Sequence, residues 1–191
     1  MPKNFVNKVD WKRFCQSVPN ARWNETTTKK LNRFHARYQI ASRFESISAA
    51  HYSEKALRGY ASGIKLILAF SAAERLGEAL GQTVDTWNIN DRPLADRLRT
   101  MLPSSREVAD AHFDRSKMSA RVVAFTQSQD PNVTIAARAL RIMMAHGSFT
   151  PTGIDALTAK GANTLLKLSN LLLDECANRF NGWLNLHSVL P

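Results

Sequence analysis

The apolar residues of this chain recur three and four positions apart, over stretches punctuated by glycine and proline, and that spacing restricts the fold most. No run of alternating β-branched residues is long enough for a strand. The expected fold is therefore an all-α bundle. Asp10 is placed to cap a short helix carrying Trp11, Phe14, Cys15 and Val18, which Pro19 ends. One of Thr26, Thr27 and Thr28 caps the next helix, which runs to about Ala49 with Leu31, Phe34, Tyr38 and Ala41 on one stripe. A long helix is expected from Ser53 to Leu80, stopped by Gly81, with Tyr60, Ile64, Ile67, Phe70 and Glu74 along its stripe. Asp91 opens a short helix ending near Leu102, Ser104 or Ser105 starts another to about Phe113, and a third spans Lys117 to Gln127. After the break at Asp130-Pro131-Asn132, a helix from Val133 to Ala145 carries Ile135, Ala136, Ala139, Leu140 and Met143, and Gly147 ends it. The last helix is expected from about Leu157 to Trp183, with Leu165, Leu168, Leu172 and Cys176 inward.

The charge is unevenly placed. Of a net +10, residues 1–43 hold ten lysines and arginines against Asp10 and Glu25, which leaves +8 in that segment. Such a field attracts polyanions; a solvated face that keeps the protein in solution is the alternative. Lys30, Arg33 and Arg37 fall on one helix as a candidate RNA-binding ridge, joined as a candidate by Arg138 on the later helix. Trp11 and Phe14 either stack on unpaired bases or staple the first helix to the bundle. The richest apolar run, Ile64 to Ala73, is interrupted by Lys65 and is too short for a membrane span. The N-terminal residues have no apolar core of a secretory signal. Cys15 and Cys176 lie far apart, as expected of reduced thiols in the cytoplasm. No pair among the five histidines has metal-ligand spacing and no glycine-rich phosphate loop occurs, so neither a metal nor a cofactor is expected.

The stretch Arg141-Ile142-Met143-Met144-Ala145-His146-Gly147-Ser148-Phe149-Thr150-Pro151 carries most of the chemistry. It sets a permanent cation and a group that titrates near neutrality at one helix end, a combination able to stabilise a phosphate and move a proton on it. Five positions separate the two on a helix, roughly 140° apart, so they meet only if the backbone leaves helical geometry at His146 and the arginine swings toward it. The alternative is a basic last turn that complements the helix dipole. Glu74 ends the long stripe: either it faces the interior, where Arg141 would partner it, or it is a partly exposed carboxylate paired with Arg75 or Lys65.

This motif at a helix end, with a long helix before it and another after, resembles the HEPN superfamily of all-α domains, many of them RNA-cleaving toxins or antiviral effectors. The resemblance covers about residues 30 to 184. It implies a HEPN-like bundle over residues 29–191 preceded by a basic extension over 1–28. It further implies metal-independent endoribonuclease chemistry, in which the ribose 2′-OH attacks the adjacent phosphate. His146 would be general acid or base, Arg141 would stabilise phosphoryl charge, and Glu74 would support the site. A homodimer that brings two motifs together is implied, as are a setting in toxin–antitoxin or antiphage defence and an antitoxin or regulatory partner. Ile142 departs from the polar residue that often follows the arginine, which leaves a non-catalytic RNA- or protein-binding relative as the alternative. Ser148 stands where one subgroup has tyrosine.

Overall fold

A computed structural model describes residues 8–20, 25–113, 117–146 and 159–187. Among these residues eight α-helices and no strand occur: α1 (Trp11–Ser17), α2 (Glu25–Arg43), α3 (Glu54–Leu80), α4 (Arg92–Arg99), α5 (Arg106–Phe113), α6 (Lys117–Thr126), α7 (Val133–Ala145) and α8 (Ala159–His187). No helix among the described residues is long and apolar enough to cross a membrane.

α3 is the axis of the bundle, with α8 and α2 packed along it and α7 against a third flank. Its ends follow local chemistry. The Ser53 hydroxyl accepts from the Ala56 N–H, and Gly81 closes the helix at φ 68°, a left-handed conformation in which a side chain would be strained. The buried faces of α3 are rich in small residues, among them Gly59, Ala61, Gly63, Ala69, Ala72, Ala73 and Gly77. They allow close approach on several sides, and Leu66, Phe70 and Leu76 fill the remaining space. The expected stripe is consequently turned. Phe70 is 1% exposed, but Tyr60, Ile64, Ile67 and Glu74 are half-buried and form the outward strip of the helix.

α2 begins at Glu25, ahead of the threonines expected to cap it, and ends at Arg43 instead of running to Ala49. The Lys65 ammonium donates to the Phe44 carbonyl at 3.1 Å, satisfying an acceptor just beyond the last turn. α4 stops at Arg99 because the chain tightens into i→i+3 bonds, Met101 N–H to the Leu98 carbonyl and Leu102 N–H to that of Arg99. α8 continues beyond Trp183 to His187. The expected start at Leu157, the stop at Gly147 and the turn at Thr150–Gly153 lie outside the described residues.

α1 is docked onto the bundle. Asp10 caps it by accepting from the Arg13 N–H, and Phe14 is 1% exposed against Phe180 of α8. Trp11 stacks on His35 of α2 with ring centroids 3.8 Å apart and planes 4° from parallel. Phe180 also meets Phe34 and Trp183, so one aromatic cluster ties α1, α2 and α8. Stapling is thus what Trp11 and Phe14 do, and a fully buried phenylalanine contributes about 1.5–3 kcal/mol to holding the helix there.

Candidate functional site

α7 presents the motif, and its placement starts at its first turn. Asn132 is buried, and its side-chain oxygen accepts from the N–H groups of Thr134 and Ile89. The Val133 N–H donates to the Ile89 carbonyl at 3.0 Å, and Asn90 and Asn132 form an isolated antiparallel bridge. From there Val133 to Ala137 are all buried, and Leu140 and Met143 continue the inward face. Arg141 lies at the margin of that face. It pairs with Glu74 of α3 at 3.4 Å, and its guanidinium stands 5.7 Å from the Phe70 ring centroid.

Glu74 combines the two expectations: it is partly exposed, and its partner is Arg141. The two side chains are 37% and 41% exposed. Glu74 occupies the outward strip because the neighbouring positions Ala73, Leu76 and Gly77 are those that face the core. An ion pair this exposed contributes about 0–1 kcal/mol, so Arg141 can exchange Glu74 for another anion at small cost. The cation–π contact then keeps its position while the partner changes.

His146 is the C-cap of α7 and is exposed. Its φ of −93° and ψ of 5° leave helical geometry, but the chain is helical up to Ala145 and the His146 N–H still bonds the Ile142 carbonyl at 3.0 Å, so the bend comes too late to redirect the side chain. The direction between positions 141 and 146 therefore remains close to the helical one, roughly 140° apart. The expected swing of Arg141 onto the imidazole does not occur: the arginine turns to α3, and no hydrogen bond joins it to His146. Ile142 is partly buried and packs against the core, where a polar residue would have to leave its hydrogen bonds unmet or turn outward.

The ridge on α2 borders the same strip of α3. Lys30 lies 3.8 Å from Glu78, and Arg37 donates to the Ser71 hydroxyl. Arg75 pairs with Glu78 at 2.7 Å, and its hydrogen bond, with the charges of Lys30 and Arg33 nearby, holds the Glu78 carboxyl below the usual range. Ser71, Glu74, Arg75 and Glu78 fall within roughly 100° of arc on α3. Arg141 reaches this strip from α7, and Lys30 and Arg37 reach it from α2. Five cations, Arg33 and Arg75 included, thus stand around two carboxylates. Arg138 does not join them. It pairs with Asp85, which also meets Arg121 at 3.2 Å, so it serves the turn before α4 and not the ridge. Among the described residues no group of three or more His, Cys, Asp or Glu is placed to hold a metal.

No family model, curated protein or solved structure matches this chain.

Proposed function

We propose that the outward strip of α3, with Arg141 at its α7 border and His146 at the end of the same helix, is the RNA-binding and cleaving surface of a metal-independent endoribonuclease of HEPN type that works as a homodimer. The convergence of Arg141 with Lys30, Arg33, Arg37 and Arg75 on one exposed strip carries the reading. A backbone phosphate entering there meets cations from three helices and competes only with the weak carboxylates Glu74 and Glu78. Arg141 then clamps the phosphoryl oxygens through its planar fork, and His146 takes the proton of the attacking 2′-OH as the P–O5′ bond breaks; the departing 5′-oxygen takes up a proton, leaving a 2′,3′-cyclic phosphate and a 5′-hydroxyl. One copy points these two side chains apart, so a site that uses both draws on two copies, Arg141 of one beside His146 of the other. Toxin–antitoxin or antiphage defence is the setting this chemistry suits.

The test is purified protein with total RNA in EDTA. Wild type is expected to generate 2′,3′-cyclic phosphate ends, His146→Ala to lose cleavage while retaining RNA affinity within a few-fold, and Arg141→Lys to fail because the fork is lost. Equal turnover by wild type and His146→Ala would sink the enzyme reading. A second reading, a non-catalytic RNA- or protein-binding module, is favoured by the engagement of Arg141 with Glu74 and Phe70 away from His146. Under it, Arg33→Glu with Arg37→Glu weakens RNA binding and flattens its salt dependence, and no RNA is cleaved under any condition.

A further inference from the structure

On roughly the opposite side of α2 from the ridge, a cleft of about 550 Å³ opens between α1 and α2. Its size is that of a small-molecule site. Three cations line it, Lys8, Lys12 and Arg43, all of them exposed, and no carboxylate among the described residues pairs with any of them. The one acid on its wall, Asp10, is committed to the first turn of α1, where it accepts from the Arg13 N–H. The cleft is therefore a net positive recess, unlike the α3 strip, where Glu74 and Glu78 offset part of the charge.

Its walls are not those of a bare anion hole. The Trp11–His35 stack contributes two flat rings. Gln39 lines it with a side-chain amide whose nitrogen lies 3.0 Å from the His35 ring nitrogen, which leaves its carbonyl oxygen and one N–H for another partner. Ser42 adds a hydroxyl that donates to the Gln39 backbone carbonyl and keeps its acceptor capacity. Burial, with Arg43 nearby, lowers the His35 pKa and favours the neutral ring, whose Nε2 accepts from the Gln39 amide and whose Nδ1–H is left as a donor instead of another cation. Unpaired cations beside flat rings and a bidentate amide suit a ligand with a phosphate at one end and a heteroaromatic edge at the other. An apolar molecule would leave the amide and hydroxyl unmet, and a simple anion would make no use of the rings or the amide.

We propose that this cleft binds one nucleotide unit, its phosphate among Lys8, Lys12 and Arg43 and its base edge against Gln39 and the Trp11–His35 stack. The unit comes either from single-stranded RNA or from a free mononucleotide. The site is separate from the α3 strip and does not depend on cleavage at His146.

The experiment uses the full chain carrying His146→Ala, so that no probe is cut, and follows binding of AMP, inorganic phosphate, oligoadenylate and oligouridylate. The His35 ring resonances, assigned through His35→Gln, are the local readout. Oligoadenylate or AMP is expected to shift them, and inorganic phosphate at the same concentration is not. Saturation by AMP alone identifies a free nucleotide as the source; response to the oligonucleotide alone identifies a strand. Lys12→Glu with Arg43→Glu, two exposed positions that leave the core intact, is expected to weaken binding at least tenfold and to abolish the His35 shift. Gln39→Ala is expected to narrow the difference between oligoadenylate and oligouridylate. Unchanged affinity in the charge-reversed protein, or a His35 response to phosphate equal to that for AMP, overturns the proposal. Loss of the Arg33 and Arg37 contacts leaves the His35 shift in place, so failure here is distinct from failure of the α3 strip as an RNA surface.

Discussion

The first and last turns of α7 are held in opposite ways. At the first turn Asn132 is buried and its oxygen collects N–H groups from two segments, the Val133 N–H bonds back to Ile89, and five consecutive residues are sealed in the core. At the last turn Arg141 makes one half-exposed ion pair, Met144 rests against Gly63, and His146 is exposed. Stability is concentrated where the helix starts, and its end is left able to exchange partners. A reactive group set there adds little to the fold, and changing it removes little.

The largest expected effect tests the rigid end. Asn132→Ala removes the cap of α7 and leaves the Ile89 and Thr134 N–H groups unsatisfied in a buried place, at a cost of about 2–4 kcal/mol. Thermal unfolding should move down by roughly 5–15 °C. A shift under roughly 2 °C would mean that this end is no better fixed than the other.

This difference was unequally visible in the amino-acid sequence. Asn132 after Asp130-Pro131 announces the start of α7, and Ser53 and Gly81 bracket α3 as expected, because caps and left-handed stops act through residues adjacent in the chain. The end of α2 had no such punctuation. It depends on Lys65, twenty-one positions away, bonding the Phe44 carbonyl. The outward turn of Glu74 was hidden for a related reason. Large apolar residues mark a stripe, but α3 is packed chiefly through glycine and alanine, which periodicity weighs little. The Arg141–Glu74 pair was legible from charge and helix order, whereas the distance of Arg141 from His146 turned on whether the backbone bends before position 146, and it does not. The α1–α2 cleft left a faint signal, Trp11 among cations and His35 four residues before Gln39, but the stacking that builds it joins two helices and is written in neither.

A smaller effect probes how loosely the far end is held. A methyl group added at Gly63 would come 2.8 Å from the Met144 sulfur, the mobile end of an unbranched side chain. Gly63→Ala should therefore cost no more than about 1 kcal/mol, with Met144 moving aside and the helix staying in place. A loss as large as that for Asn132→Ala would show that the C-terminal half of α7 is as rigidly seated as its start, and the contrast would fail.

The smallest changes in stability should fall on the pair itself, and there the readout must be RNA. Arg141→Ala and Glu74→Gln each remove one partner of an exposed bridge, so denaturant midpoints should give losses below about 1 kcal/mol. Their effects on RNA should be opposite. If Arg141 clamps the phosphate as proposed, Arg141→Ala should abolish cleavage. In Glu74→Gln a neutral amide replaces the carboxylate, and Arg141 loses the anion that competes with phosphate. RNA affinity should then rise about two- to five-fold at low salt, and the gain should fade as salt screens the strip. If Glu74 instead takes part in proton transfer, Glu74→Gln will bind RNA more tightly and yet fail to cleave it. Weaker binding by Glu74→Gln would show that the carboxylate orients Arg141 toward RNA, and the last turn of α7 would then be a fixed site and not an exchangeable one.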